Sequence, residues 1–336
     1  MIEGNPAIVL NMLAIATLAF AVSGTAISVF VSLFGKSMLR SDIASRKRVL
    51  WLLASAPWTI SLLVALLFLN CCFDVIAFQS NHSHNFMLID WHYESNYSER
   101  AKLHHIQQFH WWSWRGFALL TAVSFCAYVV LKKSRELRQH RAQLTRLLQQ
   151  SRSSSDGILV VQSANAFAFT TGFFKKHTFI SSGLLAHTSP DEQRAILLHE
   201  DAHLRANDPI KKWIYSFLTA FFIPVLALRL RMLMTLSTEQ EADAQVIKQD
   251  VEPTFMARTL VKVARLNITA TPMQYSELVA NFADDMLQQR VYFLLGKLEL
   301  QPISKRFTSL FMLLILSVSL PSVDGVLYLM EALFKH

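Results

Sequence analysis

Apolar residues in this chain gather into long runs rather than the short stripes and alternations of a water-soluble domain. No charge occurs between Glu3 and Lys36, and residues 8–34 exceed the roughly 20 helical residues that cross a hydrocarbon layer. A second uncharged run covers residues 49–73. A third lies between Arg115 and Lys132, extended backwards by Trp111, Trp112 and Trp114, a residue type that favours the membrane interface. A fourth covers residues 307–323. The first run reads as a retained span, because its start is acidic and it is too long for a signal peptide.

Lys and Arg collect on the cytoplasmic side of a membrane, so the loops set the orientation. Lys36, Arg40, Arg46, Lys47 and Arg48 follow the first run, and Lys132, Lys133, Arg135, Arg138, Arg141, Arg146 and Arg152 follow the third. The loop at 74–110 balances Asp74, Asp90, Glu94 and Glu99 against Arg100 and Lys102. Lys305 and Arg306 precede the fourth run. Three segments result: 1–131 with three spans and an outside loop, 132–306 in the cytoplasm, and 307–336 with the last span. Both termini lie outside. Residues 135–150 read as an amphipathic helix continuing the third span.

Composition agrees, with 52% hydrophobic and 17% charged residues and a mean hydropathy of +0.31. Nine Gly and nine Pro exclude a collagen-like or low-complexity chain. The net charge of +8 is read as a topology signal and lipid-headgroup contact, without direct nucleic-acid binding. Cys71, Cys72 and Cys126 are too few for a disulfide framework or a thiolate zinc site and read as packing residues.

Within 132–306, residues 158–161, 166–170 and 178–181 read as short strands punctuated by Gly172 and Gly183. Ser189, Pro190 and Glu192 then open a helix with a capping box. That helix carries His199, Glu200 and His203. Spacing of four puts both imidazoles on one face, able to share a zinc ion, with Glu200 beside the bound water. From this composition, chance yields such a pattern with an expectation of roughly 0.015. A catalytic zinc takes three protein ligands and keeps one position for water. Glu239 is the candidate third ligand, Glu241 its nearest competitor, and Asp243, on the same helical face as Glu239, can orient a ligand histidine.

The apolar run 213–228, interrupted by Pro224, is short of a span. If it crossed the membrane, His203 and Glu239 would lie on opposite sides, so it reads as a re-entrant hairpin or a buried core helix. Asn165, Ala166 and Phe167 are the candidate edge of the small sheet, where an extended peptide can add as a strand. Arg290 is the candidate oxyanion-stabilising and substrate-binding residue. Six histidines of the outside loop, His82, His84, His92, His104, His105 and His110, suit a metal or an acidity sensor as well as a plain polar surface.

His199-Glu200-Asp201-Ala202-His203 with Asp208 after it, the later Glu239 and Asp243, and the three-plus-one spans resemble the BlaR/MecR-type membrane metallopeptidases, relatives of the HtpX-type gluzincins. Ala166-Phe167 and Gly172 upstream and Leu287-Gln288-Gln289-Arg290-Val291 downstream add to the likeness. The resemblance implies a mainly α polytopic membrane protein: about four transmembrane helices, a cytoplasmic gluzincin domain with a small β-sheet, and a membrane-embedded or re-entrant apolar segment. It implies one Zn2+ per chain held by His199, His203 and Glu239, Glu200 as catalytic base, and Asp243 as support beside Asp208. It also implies an inner-membrane signalling protease that cuts a cytoplasmic transcriptional repressor, or itself, after an outside signal. Asp201 departs from the apolar residue usual there. Only residues 324–336 follow the last span, so a penicillin-binding sensor domain is not expected. A quality-control protease of the HtpX kind and a non-catalytic metal-binding receptor are the rival readings, and the oligomeric state, a homodimer included, stays open.

Overall fold

The computed structural model describes residues 2–35, 37–82, 108–153, 158–172, 176–270, 277–304 and isolated positions between 306 and 317. The chain divides into two compact units. One comprises Met1–Ser32, Leu52–Leu131 and Ser304–His336, the other Leu33–Trp51 and Lys132–Ile303.

Three long helices dominate the first unit: α1 (Asn5–Phe34), α2 (Ile43–His82) and the first half of α3 (Trp114–Gln150). All three are long and apolar enough to cross a membrane. Where backbone groups have no water to bind, they must be satisfied within the helix, and hydroxyls are best turned back onto it. Ser23 and Ser28 accordingly donate to the Ala19 and Gly24 carbonyls at 2.7 Å. Fully buried Ala7, Ala14 and Ala19 on α1 and Ala54 and Ala56 on α2 allow close backbone approach. Ser61 of α2 donates across to the Ala16 carbonyl at 2.7 Å. Val9, Leu13, Leu62, Leu66, Phe117 and Val123 face outward, as lipid-facing side chains do. Cys126, expected to pack inside, is exposed on this outward face of α3 instead; the side chains of Cys71 and Cys72 lie outside the described residues.

Ahead of α1, β1 (Ile2–Glu3) pairs antiparallel with β2 (Gln108–Phe109). Buried Asn11 reinforces this, donating to the Gln108 carbonyl at 3.1 Å and accepting from Arg115 at 3.2 Å. His84, His92, His104 and His105 and most of the fourth expected span lie outside the described residues.

In the second unit a four-stranded sheet has the order β3 (Ser151–Ser153), β4 (Leu159–Val161), β6 (His177–Ser181), β5 (Ala168–Thr171). β4 and β6 run parallel, and the two outer pairings are antiparallel. β3 follows α3 directly and has no counterpart in the sequence reading, being three polar residues long. Ala166, Ile180 and Leu184 close the sheet's core, and Phe169 stacks on Phe179 at 5.3 Å.

Helices α4 (Ser182–His187), α5 (Pro190–Ala206), α6 (Asp208–Leu218), α7 (Pro224–Ile247), α8 (Pro253–Ala270) and α9 (Glu277–Leu294) complete the unit. α5 begins with the capping box read from sequence: Ser189 Oγ accepts from the Glu192 amide at 3.3 Å, and Glu192 returns a carboxylate oxygen to the Ser189 amide at 2.8 Å. Its apolar face packs through Ala195 against Val246, Met256, Ala257 and Leu294. The run 213–228 forms the end of α6, a 3-10 turn at Thr219–Phe221 and the start of α7. Pro224 opens α7, where its missing N–H costs nothing. The chain thus doubles back on itself, so His203 and Glu239 share one unit.

Gly183, in the first turn of α4, donates to the Ser163 carbonyl at 2.8 Å, and a Cβ there would collide with the carbonyl oxygens of Ala164 and Ser163. Gly183→Ala is expected to destabilise the second unit by about 1–3 kcal/mol. Thermal unfolding in detergent checks this, with Gly24→Ala, where a Cβ meets open space, as the neutral control.

Candidate metal centre

The site is built on α5. His199, Glu200 and His203 are all buried there, the two imidazoles one turn apart and edge-on, with ring centroids 4.7 Å apart. α7 packs across this face and brings Glu239 between them. His199 Nε2 and His203 Nε2 stand 3.2 Å apart. Glu239 Oε2 is 3.3 Å from the first and Oε1 3.6 Å from the second.

Three donor atoms so disposed form a site for a divalent metal. Two ligands about 2.05 Å from one tetrahedral ion are roughly 3.4 Å apart, close to all three separations seen here. Two nitrogens and one carboxylate oxygen suit zinc or a related transition ion. The outer ring nitrogens are engaged away from the centre. His203 Nδ1 donates to Asp208 Oδ2 at 2.7 Å. His199 Nδ1 lies 3.0 Å from Asp243 Oδ1, but the ring is turned off the line of a good hydrogen bond and this buried atom has no other partner. Both carboxylates stand where they favour the tautomer that presents Nε2 to the shared point.

The turn beneath His203 is local in origin. Asn207 ends α5 in the left-handed region at φ 57°, which Asn tolerates, and Pro209 helps start α6 at once. Asp208 therefore sits directly below the last turn of α5, buried against His203.

Glu239 and Asp243 are anchored by a residue distant in sequence. Arg290 of α9 grips Asp243 with two bonds, Nε to Oδ2 at 2.8 Å and Nη2 to Oδ1 at 2.7 Å, and its Nη1 reaches Glu239 Oε2 at 3.3 Å. Arg290 therefore stands behind the donor atoms, not in the cleft where an oxyanion would form. Lys212 of α6 approaches Glu239 Oε1 at 3.2 Å. On the far side of α7, buried Arg46 at the start of α2 donates to Ser237 Oγ at 2.7 Å and to Gln240 Oε1, while Lys47 pairs with Glu241. Glu241 is thereby taken out of competition for the metal.

Charges this deep shift one another. Burial alone would raise the Glu239 carboxyl, but hydrogen bonds from His199 and His203, with Arg290 and Lys212 nearby, hold it well below the ordinary value. Burial likewise opposes ionisation of Asp243, and Arg290 outweighs it. Burial would lower His203, yet bonds to Asp208 and Glu239 raise it to about 9, and His199 moves the same way through Asp243 and Glu239. The carboxylates of Asp208, Asp243 and Glu239 thus favour positive charge, from a proton or a metal, at the two imidazoles.

A cleft of about 860 Å³ opens onto these residues. It is lined by Glu200, His203, Glu239 and Lys212, by the edge strand β5, and by α3 from Lys133 to Leu144. Thr170 donates to the Glu200 carbonyl at 3.2 Å and so ties β5 to α5. The stretch read as the edge, 165–167, precedes the edge strand itself. Asn165 is exposed, Ala166 is buried in the sheet core, and Phe167 exchanges bonds with Ser181 at 2.9 Å. Lys212, Thr170 and Arg46 were missing from the sequence reading. The first had a signal, since it stands one helical turn beyond Asp208; Arg46 was absorbed into the topology charges.

Helices fit to span a membrane, together with a His-His-Glu donor cluster, define a membrane-associated protein with a candidate metal centre. A family model described as BlaR1 peptidase M56 matches residues 16–294, and the chain belongs to that family. No curated protein matches the chain.

Two outcomes follow from the network. Arg290→Met leaves Asp243 buried and unpaired, and is expected to cost about 3–5 kcal/mol of stability and to weaken metal binding about 10–100-fold, by thermal unfolding and metal titration. Because the His203 value is raised from 6.5 to about 9, its stabilising contribution is full below pH 6.5 and lost as pH rises through 9. Glu239 and Asp243 act oppositely, their contribution being lost as pH falls below the ordinary carboxyl range. Chelator-treated protein should therefore melt at falling temperature from pH 6.5 to 9, while metal-loaded protein, its ligand imidazoles held neutral across that range, should not. A flat metal-free profile would contradict the charged pairing.

Proposed function

We propose that the protein is an integral-membrane zinc endopeptidase with its site on the cytoplasmic side. The observation that carries this reading is the convergence of His199, His203 and Glu239 beside Glu200 in a cleft edged by β5. Zinc, when bound, supplies a Lewis acid that polarises the scissile carbonyl and acidifies water. His199, His203 and Glu239 are the residues that would hold it. Asp208 and Asp243 keep the imidazoles aimed.

Glu200 is the general base. Glu200 lines the cleft and, among the described residues, its carboxylate makes no side-chain hydrogen bond, which leaves it to take a proton from the attacking water and deliver it to the departing amine. β5 hydrogen-bonds to β6 on one side only, and its outer edge offers main-chain donors and acceptors to an extended substrate segment. A cleft of this kind takes an unfolded or extended stretch of protein, and basic residues on the cytoplasmic side keep the unit at the lipid surface. We infer a signalling role: an outside stimulus received through the spans leads to cleavage of a cytoplasmic repressor-like protein or of the chain itself, in the bacterial inner membrane.

Glu200→Gln is expected to bind zinc as the parent does and to lose cleavage of a quenched-fluorescent peptide library by at least about a hundredfold. Continued cleavage by the variant would remove Glu200 from the mechanism. Comparison of cell proteomes with parent and variant tests the signalling role, which predicts one or a few accumulating proteins; many would favour quality control.

A further inference from the structure

We propose that Lys212 is a second catalytic residue, the cation that stabilises negative charge on the carbonyl oxygen of the scissile bond. This rests on the peptidase reading above and completes it. Hydrolysis of an amide places a full charge on that oxygen, and peptidases meet it with a preorganised donor as well as a metal.

Four cations lie on or behind the cleft; Arg141 lines it from α3 with no bond to the donor residues among the described residues, and the bonds of the other three separate them. Arg290 commits Nε and Nη2 to Asp243 and Nη1 to Glu239, and does not line the cleft. Lys133 lines it, but donates to Glu136 at 2.7 Å and Ser216 at 2.9 Å with a side chain only 10% exposed. Lys212 lines the cleft beside Glu200 and His203, is 41% exposed, and among the described residues bonds only to Glu239 Oε1, at 3.2 Å.

That contact places the ammonium. Glu239 is bracketed by two cations, Arg290 on Oε2 from the buried side and Lys212 on Oε1 from the cleft side. The same Oε1 lies 3.6 Å from His203 Nε2. Lys212 Nζ is thus within two hydrogen-bond lengths of the point where the donor atoms converge, on the face a substrate must use. It stands one turn after Asp208 on α6, so the helix that aims His203 also carries the ammonium. A four-carbon stem with three N–H donors can follow an oxygen through a small displacement without losing its bond.

The step balances with the groups present. Water oxygen bonds to the carbonyl carbon, its proton passes to Glu200, and the C=O π pair moves onto the oxygen, which accepts an N–H from Lys212. When the C–N bond breaks, the oxygen's pair re-forms the carbonyl, and the amine nitrogen takes the proton from Glu200. Lys212 ends as it began, charged and bonded to Glu239.

The experiment uses the full chain in detergent, zinc-loaded, with a quenched peptide selected from the library by the parent protein. Lys212→Met is expected to lower kcat about 10²–10³-fold, with KM and the zinc Kd within about threefold and thermal unfolding unchanged. Lys212→Arg should recover at least about tenfold of the loss. A phosphinic analogue of the same peptide, whose tetrahedral anion imitates the charged oxygen, should bind Lys212→Met weaker by the same factor as kcat/KM falls. An unchanged kcat in Lys212→Met overturns the proposal. So does a zinc Kd raised tenfold or more with full kcat at saturating zinc, which makes Lys212 only a brace for Glu239. Failure of the peptidase reading is a different result: the zinc-loaded parent then cuts no peptide in the library.

Discussion

An aspartate with no exposure to solvent sets the terms for the rest of the site. A buried carboxylate without a partner is among the most costly arrangements a fold can hold, and Asp243 is tolerated because Arg290 meets both its oxygens. A well-packed apolar pair would be as stable or more so. The ionic version is explained by what it presents forward: Arg290 also holds Glu239, Asp243 faces His199, and the two together turn a carboxylate and an imidazole toward one point. The cost of burying charge is offset at the centre as well, where Asp208, Asp243 and Glu239 raise the pKa of the two imidazoles. The fold itself thus turns three donor atoms toward one point.

The two histidines are aimed by different kinds of chemistry. His203 depends on a local device, the left-handed Asn207 and the immediate start of α6, which puts Asp208 under its ring within five residues of chain. His199 depends on a non-local one, since Asp243 comes from α7 and is itself steadied from α9. The local device survives any motion that leaves the α5–α6 corner intact. The non-local one holds only while α5, α7 and α9 stay packed through Ala195, Val246 and Leu294.

Features governed by short-range periodicity were legible in the sequence. Long uncharged runs gave α1, α2 and the first part of α3. Ser189, Pro190 and Glu192 gave the start of α5, and a spacing of four gave the shared face of His199 and His203. Even the break at Pro224 followed from requiring both ligand segments on one side of a membrane. What was not legible depends on contacts distant in sequence. Arg46 looked like one more orienting charge because nothing near it reveals that Ser237 and Gln240, almost two hundred residues away, will bury it. That the edge strand is Ala168–Thr171 and not 165–167 follows from its pairing with β6, a register the strand's own pattern leaves open. Arg290 carried the charge expected of an oxyanion donor, but only the packing of α9 shows that its donors point at Asp243.

The choice of Glu239 over Glu241 shows how tightly the position of α7 is fixed. Consecutive helical residues are about 100° apart, so a slip by one residue would swing Glu239 off the imidazoles. Such a slip is opposed from both sides of the helix. Arg46 binds Ser237 and Gln240 on one flank, Arg290 binds Glu239 and Asp243 on another, and Gln240 joins the two by donating to the Gln289 carbonyl at 3.3 Å. Arg46 is buried and the Arg290 side chain is only 13% exposed, so a shift that unpairs either one leaves a largely desolvated charge, at a cost on the order of several kcal/mol. Apolar packing alone would allow neighbouring registers of similar energy; two arginines paired on separate flanks do not. The third donor is thereby held to one rotation of α7, which a centre assembled from separate helices requires before any metal arrives.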